Sequence, residues 1–133
     1  MQTKAISHVK YHIWYHIVFC PKYRKPVLVD EIEIELRKLV AEICVTENWE
    51  AKAIEIMPDH VHLFVSAPPT VSPTEIVLRI KSITAITLFY KFPTLKKRSF
   101  WGSGLWSKGY YVGTAGEVSA KTIQKYIENQ KHV

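Results

Sequence analysis

The sequence predicts an α+β domain with an antiparallel sheet, and three features carry that expectation. An aromatic, β-branched block opens the interpretable part of the chain. Two strand-like runs meet at a Pro-Asp pair, and two segments with helical apolar spacing lie between strand-like blocks. The first block, "YHIWYHIVFC" (11–20), reads as a strand that ends at Pro21, since proline cannot donate to a sheet ladder. Asp30 followed by Glu33 resembles a capping box. Ile32, Leu36, Leu39, Val40 and Ile43 then follow helical spacing, so a helix is expected over 31–46. "WEAKAIEIM" and "VHLFVSA" read as strands joined through Pro58-Asp59, a favourable turn pair. In the next segment Ser72 is the expected N-cap, Pro73 the first helical residue and Glu75 the third, and Ile76, Ile80, Ile83 and Leu88 supply an inward stripe. After Pro93 comes a basic segment read as irregular, then a strand around "WSKGYYVG" and a final helix, "SAKTIQKYIENQ".

The order β-α-β-β-α-β-α gives two helix-connected strand pairs around an antiparallel hairpin. That is the split βαβ, ferredoxin-like plan, with helices on one sheet face and the other face left for a ligand or the last helix. With 133 residues, one domain spanning 1–133 is the simplest expectation. A chain of this size buries roughly 70% of its unfolded surface.

Composition narrows the classes. No apolar run approaches the ~20 residues of a membrane span, and "MQTKAISHVKYHIWYH" lacks the apolar block of a signal peptide. The expectation is a cytoplasmic protein without membrane contact. Cys20 and Cys44 form no metal-type spacing and read as buried free thiols. Lys and Arg number 18 against 12 Asp and Glu, and the excess is uneven. Acids gather in "DEIEIELRKLVAE", whereas "CPKYRKP" and "KKRSFWGSGLWSKGYY" interleave bases with aromatics. Cations meet phosphates while rings stack on unpaired bases, which favours nucleic acid over an ordinary solvated basic face.

The hairpin concentrates the chemistry. If Pro58 and Asp59 are the central turn residues, Met57 faces His60, Glu55 faces His62 and Ala53 faces Phe64. Ile54, Ile56, Val61, Leu63 and Val65 then point to the helix side. Two imidazoles and a carboxylate share the opposite face. They suit a divalent metal or form a polar sheet face with surface histidines. Two ligands do not complete a site. In the last helix Tyr126 and Gln130 lie four residues apart on one face, with Thr122 one turn earlier. A tyrosine there is either a core residue or a nucleophile beside a phosphate.

With these residues in view, the chain resembles the single-tyrosine transposases of the insertion sequence 200/605 family, which belong to the HUH endonucleases. The matching stretches are "YHIVFCPKYRKPVL", "MPDHVHLFVSAPP", "LWSKGYYVGTAGEV" and "TIQKYIENQ", which cover nearly all of residues 11–130. The resemblance implies that His60 and His62 hold magnesium or manganese on a scissile phosphate, with Gln130 completing the site. It implies that Tyr126 attacks single-stranded DNA, forming a 5′-phosphotyrosine link and freeing a 3′-hydroxyl. Glu55 is carried only by the hairpin argument, as a metal ligand or nearby base. The resemblance further implies a homodimer, a tyrosine helix on a "GTAGE" hinge that can act within its own subunit or in trans, and recognition of DNA hairpins at the element's ends. Lys22, Arg24, Lys96, Lys97, Arg98 and Trp101 are the DNA-binding candidates. The competing expectation is a non-catalytic nucleic-acid-binding domain of the same fold. Such domains stack bases on aromatics at the sheet centre, where this hairpin offers Glu55, His60 and His62 instead.

Overall fold

The computed structural model describes residues 13–115 and, beyond them, position 125, which is helical and exposed. Four strands form one antiparallel sheet: β1 (Trp14–Phe19), β2 (Glu50–Met57), β3 (His60–Ser66) and β4 (Tyr111–Ala115). Their order is β2-β3-β1-β4, the arrangement of the split βαβ plan, with β1 and β3 central. Helix α1 (Asp30–Glu47) connects β1 to β2, and α2 (Pro73–Lys91) with the short α3 (Pro93–Ser99) connects β3 to β4.

Strand alternation sets the core. Ile17 and Phe19 of β1 and Val61, Leu63 and Val65 of β3 join Leu36, Val40, Ile76 and Ile80 of the helices in one buried cluster. Each fully buried side chain of this kind contributes about 1.5–3 kcal/mol. The opposite sheet face carries a smaller cluster of Trp14, Ala53 and Phe64, with the Trp14 and Phe64 ring centroids 5.5 Å apart. Among the described residues, no helix is long and apolar enough to cross a membrane.

Several local expectations hold. The hairpin pairs Met57 with His60, Glu55 with His62 and Ala53 with Phe64, and a register shift falls only further down, between Ala51 and Ala53. Ser72 accepts from the Glu75 amide while Glu75 accepts from the Ser72 amide, closing the capping box of α2. Others need correction. Asp30 caps nothing: the N-cap is Val29, without a side-chain bond, and Asp30 has φ 55°. A box requires the capping residue to be extended just before the first turn, and Asp30 is already within the helix. The segment after Pro93 is helical, starting on that proline and buried only through Leu95. The last strand begins at Tyr111 rather than near Trp106. Gly113, expected in a hinge, lies in β4 opposite His16. The helix expected to carry Tyr126 and Gln130 lies outside the described residues.

Candidate active site

The antiparallel order brings four chain positions to one end of the sheet: the end of β1 at Phe19, the end of β2 at Met57, the start of β3 at His60 and the start of β4 at Tyr111. A cleft of about 450 Å³ opens there. Its lining includes Cys20, Arg24, His60, His62, Tyr110 and Tyr111.

His60 and His62 sit two residues apart on β3, so both leave the sheet on the face away from the main core. Their ring centroids are 4.7 Å apart. His62 is buried, but it lies outside the apolar core and is flanked by imidazoles on two sides. His16, on the neighbouring β1, stacks on it at 5.5 Å, and His16 Nε2 lies 3.2 Å from His62 Nδ1. Tyr111 of β4 meets the His16 ring edge-on at 6.0 Å. Burial, reinforced by the charges of His60 and His16, pushes His62 down to about 4, and burial also lowers His16. Near pH 7 the buried imidazoles are therefore neutral, with lone pairs available to an electrophile.

The turn residue Asp59 orients His60. His60 Nδ1 and Asp59 Oδ1 are 2.7 Å apart. The bond to His60, helped by Arg24, holds the Asp59 carboxyl below its usual range. A carboxylate can only accept, so His60 Nδ1–H donates to Asp59. Arg24 donates to the other carboxylate oxygen at 2.9 Å. Arg24 reaches it from a tight turn after β1 in which Tyr23 and Arg24 both take positive φ, 62° and 51°. Non-glycine residues rarely adopt that conformation, and it concentrates at functional sites. The turn is anchored by Lys22 N donating to Leu105 O at 2.8 Å, and the hairpin by Leu28 N donating to Pro58 O at 3.0 Å.

The other expected site residues are distributed unevenly. Glu55 faces His62 in the ladder but does not line the cleft. Among the described residues, no three His, Cys, Asp or Glu side chains form a group able to hold a metal. Of the DNA candidates, Arg24 lies in the cleft and Lys22 in the adjoining turn. Lys96, Lys97 and Arg98 form a basic turn of α3, with Lys96 Nζ 4.8 Å from the Phe89 ring centroid. Arg98 lines a separate groove at the start of α1, and Trp101 is 81% exposed. Cys44 is buried as expected, whereas Cys20 is half-buried in the cleft wall.

Sequence reasoning missed His16, Asp59 and Tyr111. A signal for His16 was present. In "WYHIVF" Ile17 and Phe19 mark the core face, which leaves His16 on the other. The ferredoxin-like order already sets β1 beside β3.

Fold and site together define the class: a split βαβ domain with an imidazole-lined cleft at one end of its sheet. The family follows from comparison, since the model for "Transposase IS200 like" matches residues 9–130. The chain belongs to the IS200-like transposase family, whose members are enzymes acting on DNA. It is 38% identical over 120 residues to the ISDra2 transposase TnpA of Deinococcus radiodurans, covering 90% of this chain and 85% of that one. It is 32% identical over 127 residues to the transposase for insertion sequence element IS200 of Salmonella typhimurium, covering 96% and 82%. A solved transposase structure from Deinococcus radiodurans superposes with a TM-score of 0.75 at 36% identity, covering 98% of this chain and 97% of the other. A REP-associated tyrosine transposase bound to a REP hairpin shares the fold, with a TM-score of 0.61 at 16% identity over 96% of this chain and 70% of that one.

Proposed function

We propose that this chain is a single-strand DNA transposase that cleaves and rejoins DNA through Tyr126. The observation that carries the reading is the pair of neighbouring imidazoles of His60 and His62, ring centroids 4.7 Å apart, in a cleft also lined by Arg24. The donor chemistry fits a divalent cation. Asp59 occupies Nδ1 of His60, and His16 occupies Nδ1 of His62. Each ring is thus left with Nε2 as its ligating atom and with an outer partner that fixes its orientation. His60 and His62 would hold magnesium or manganese, with Gln130 as the third protein donor that the family resemblance implies and Glu55 as a nearby carboxylate. Such a cation, when bound, withdraws charge from the non-bridging phosphate oxygens.

The remaining chemistry belongs to the chain. The Tyr126 phenol gives up its proton to water, and its oxygen attacks the phosphorus of an unpaired strand. The bond from phosphorus to the 3′ oxygen breaks, the 3′ oxygen takes up a proton, and a 5′-phosphotyrosine remains. Because the phosphodiester is exchanged rather than hydrolysed, a second strand's 3′-hydroxyl reverses the step without an energy source. Arg24, Lys22 and the α3 cations Lys96, Lys97 and Arg98, with Trp101, supply phosphate and base contacts to DNA carrying hairpin ends. Two copies of the chain, with Tyr126 delivered in cis or in trans, would form the working enzyme.

The test is incubation of labelled single-stranded DNA from an element end with protein and manganese, followed by a denaturing gel. A covalent adduct is expected with the wild-type chain, and none with Tyr126→Phe. Cleavage by Tyr126→Phe at the wild-type rate would mean hydrolysis by water and would remove the tyrosine mechanism. Mixed dimers of Tyr126→Phe and His60→Ala chains separate cis from trans delivery.

A further inference from the structure

Just before β4 the chain leaves the sheet edge and returns. Ser107 N donates to Cys20 O at 2.9 Å, and the ladder resumes with Tyr111 opposite Val18. Lys108, Gly109 and Tyr110 therefore stand where β1 has Phe19 alone. Extra residues in a bulge have no ladder partner, so something else must hold this one.

That role falls to Lys81, which reaches across from α2. Its Nζ lies 2.7 Å from Ser107 O, 3.0 Å from Gly109 O and 3.4 Å from Lys108 O. An ammonium carries three protons and accepts nothing, and here three carbonyls take them. The same Nζ lies 5.6 Å from the Tyr110 ring centroid, and the Tyr110 hydroxyl bonds Thr74 of α2 at 2.7 Å. Lys81 is only 9% exposed, and lysine is rarely buried without a charged partner. No carboxylate pairs with it among the described residues. Its ammonium is committed to backbone. The other side of the bulge is functional surface: Ser107, Gly109, Tyr110 and Tyr111 line the cleft that contains His60 and His62.

We propose that Lys81 is a positioning residue for DNA processing: its ammonium clips the 107–110 bulge as one wall of the cleft and sets the width open to an unpaired strand. The inference rests on the transposase reading of that cleft. Lys81 touches no reacting atom and acts through the backbone that it holds. Neither common replacement can substitute. Methionine keeps the stem but donates nothing, and the planar guanidinium of arginine does not converge on three oxygens around one point.

The experiment compares the wild-type chain with Lys81→Met through two readouts. The first is the rate at which a small maleimide labels Cys20 in the metal-free native protein. Cys20 lines the cleft, whereas burial keeps the Cys44 thiol at about 11 and silent. The second is affinity for a single-stranded oligonucleotide, measured in a Tyr126→Phe background. Labelling, compared on the plateau of its pH profile because the Lys81 ammonium also acts electrostatically on the Cys20 thiol, should accelerate and affinity should fall, each by about tenfold, while kcat at saturating DNA changes less than about threefold. A merely structural lysine would lower the melting temperature and leave the labelling rate and the affinity of the folded protein unchanged. Either value staying at the wild-type level overturns the proposal. Tyr110→Phe removes only the bond to Thr74 and should shift both readouts the same way by about twofold, so the question remains decidable if Lys81→Met does not fold. The labelling arm uses no DNA, and adduct formation by the wild-type chain judges the transposase reading separately.

Discussion

The two faces of β3 are built for different work. Val61, Leu63 and Val65 lie in the helix-covered core, while His60 and His62 point the other way into the cleft. Both sets occupy the same seven residues. Alternation with period two lets one strand serve stability and chemistry at once, provided its register is held. The Pro58-Asp59 turn holds it, and Asp59 also orients the first histidine. On one face, side chains are interchangeable within limits of volume. On the other, the Nδ1 of each histidine has a particular neighbour.

That contrast can be broken from either side. The largest effect is expected on the site face. His60→Ala should lower adduct formation by about a thousandfold, roughly 4 kcal/mol of barrier, while changing the urea midpoint little. His60 makes its bond to Asp59 near the surface and contributes nothing to the core. Leu63→Ala, next to His62 in the strand but on the core face, should show the reverse. It should cost about 2–5 kcal/mol in urea unfolding and leave the specific activity of the folded fraction within about twofold.

A pH series sharpens the difference next. Burial holds His62 at about 4, against 6.5 for a free imidazole, and shifts His16 in the same direction. As pH falls, the unfolded chain takes up these protons first, so stability is complete above about pH 6.5 and is lost as pH approaches about 4. The His62 contribution is no more than about 3 kcal/mol. Asp59 has the opposite chemistry. Its carboxyl lies below the usual value of 3.8, so its contribution disappears only at lower pH still. Urea midpoints of metal-free protein between pH 7 and 4 should fall steadily, and His62→Phe should flatten the curve.

The smallest effect concerns Gly113. A Cβ built there would lie 2.6 Å from the Tyr111 hydroxyl and 3.2 Å from its ring carbon Cζ, so Gly113 leaves room for Tyr111 to fold back across β4. Gly113→Ala should cost about 1 kcal/mol in unfolding experiments and move Tyr111 off the edge of His16. The displacement would be read from the aromatic resonances of both residues.

Much of this contrast was legible in the sequence, and the gaps have physical causes. The hairpin register could be read because a Pro-Asp turn between alternating strands permits few pairings. The start of α2 could be read because three independent signals coincide at residues 72–75. Asp30 misled because a capping box is a pattern of residue types, whereas a cap is a backbone conformation, and Asp30 has already turned into the helix. Helix α3 was hidden because a short basic run with one buried leucine has no apolar period. The bulge at 108–110 could not be foreseen. It depends on Lys81, 26 to 28 positions earlier in sequence, and no local pattern links a helical lysine to three carbonyls. His16 was within reach, since strand order and alternation together place it against His62. The hairpin alone does not reveal it, because His16 lies on β1, outside the β2–β3 pair.

The proposed cation site lies on the outer face of β3, at His60 and His62. The most direct measurement is a manganese titration of the metal-free protein, followed through the histidine side-chain signals in NMR. Substoichiometric manganese should broaden His60 and His62 first and His16 next, leaving the methyl groups of Val61 and Leu63 sharper than the imidazoles. Broadening that begins on the helix layer or in the acidic first turn of α1, with the three imidazoles untouched, would contradict it.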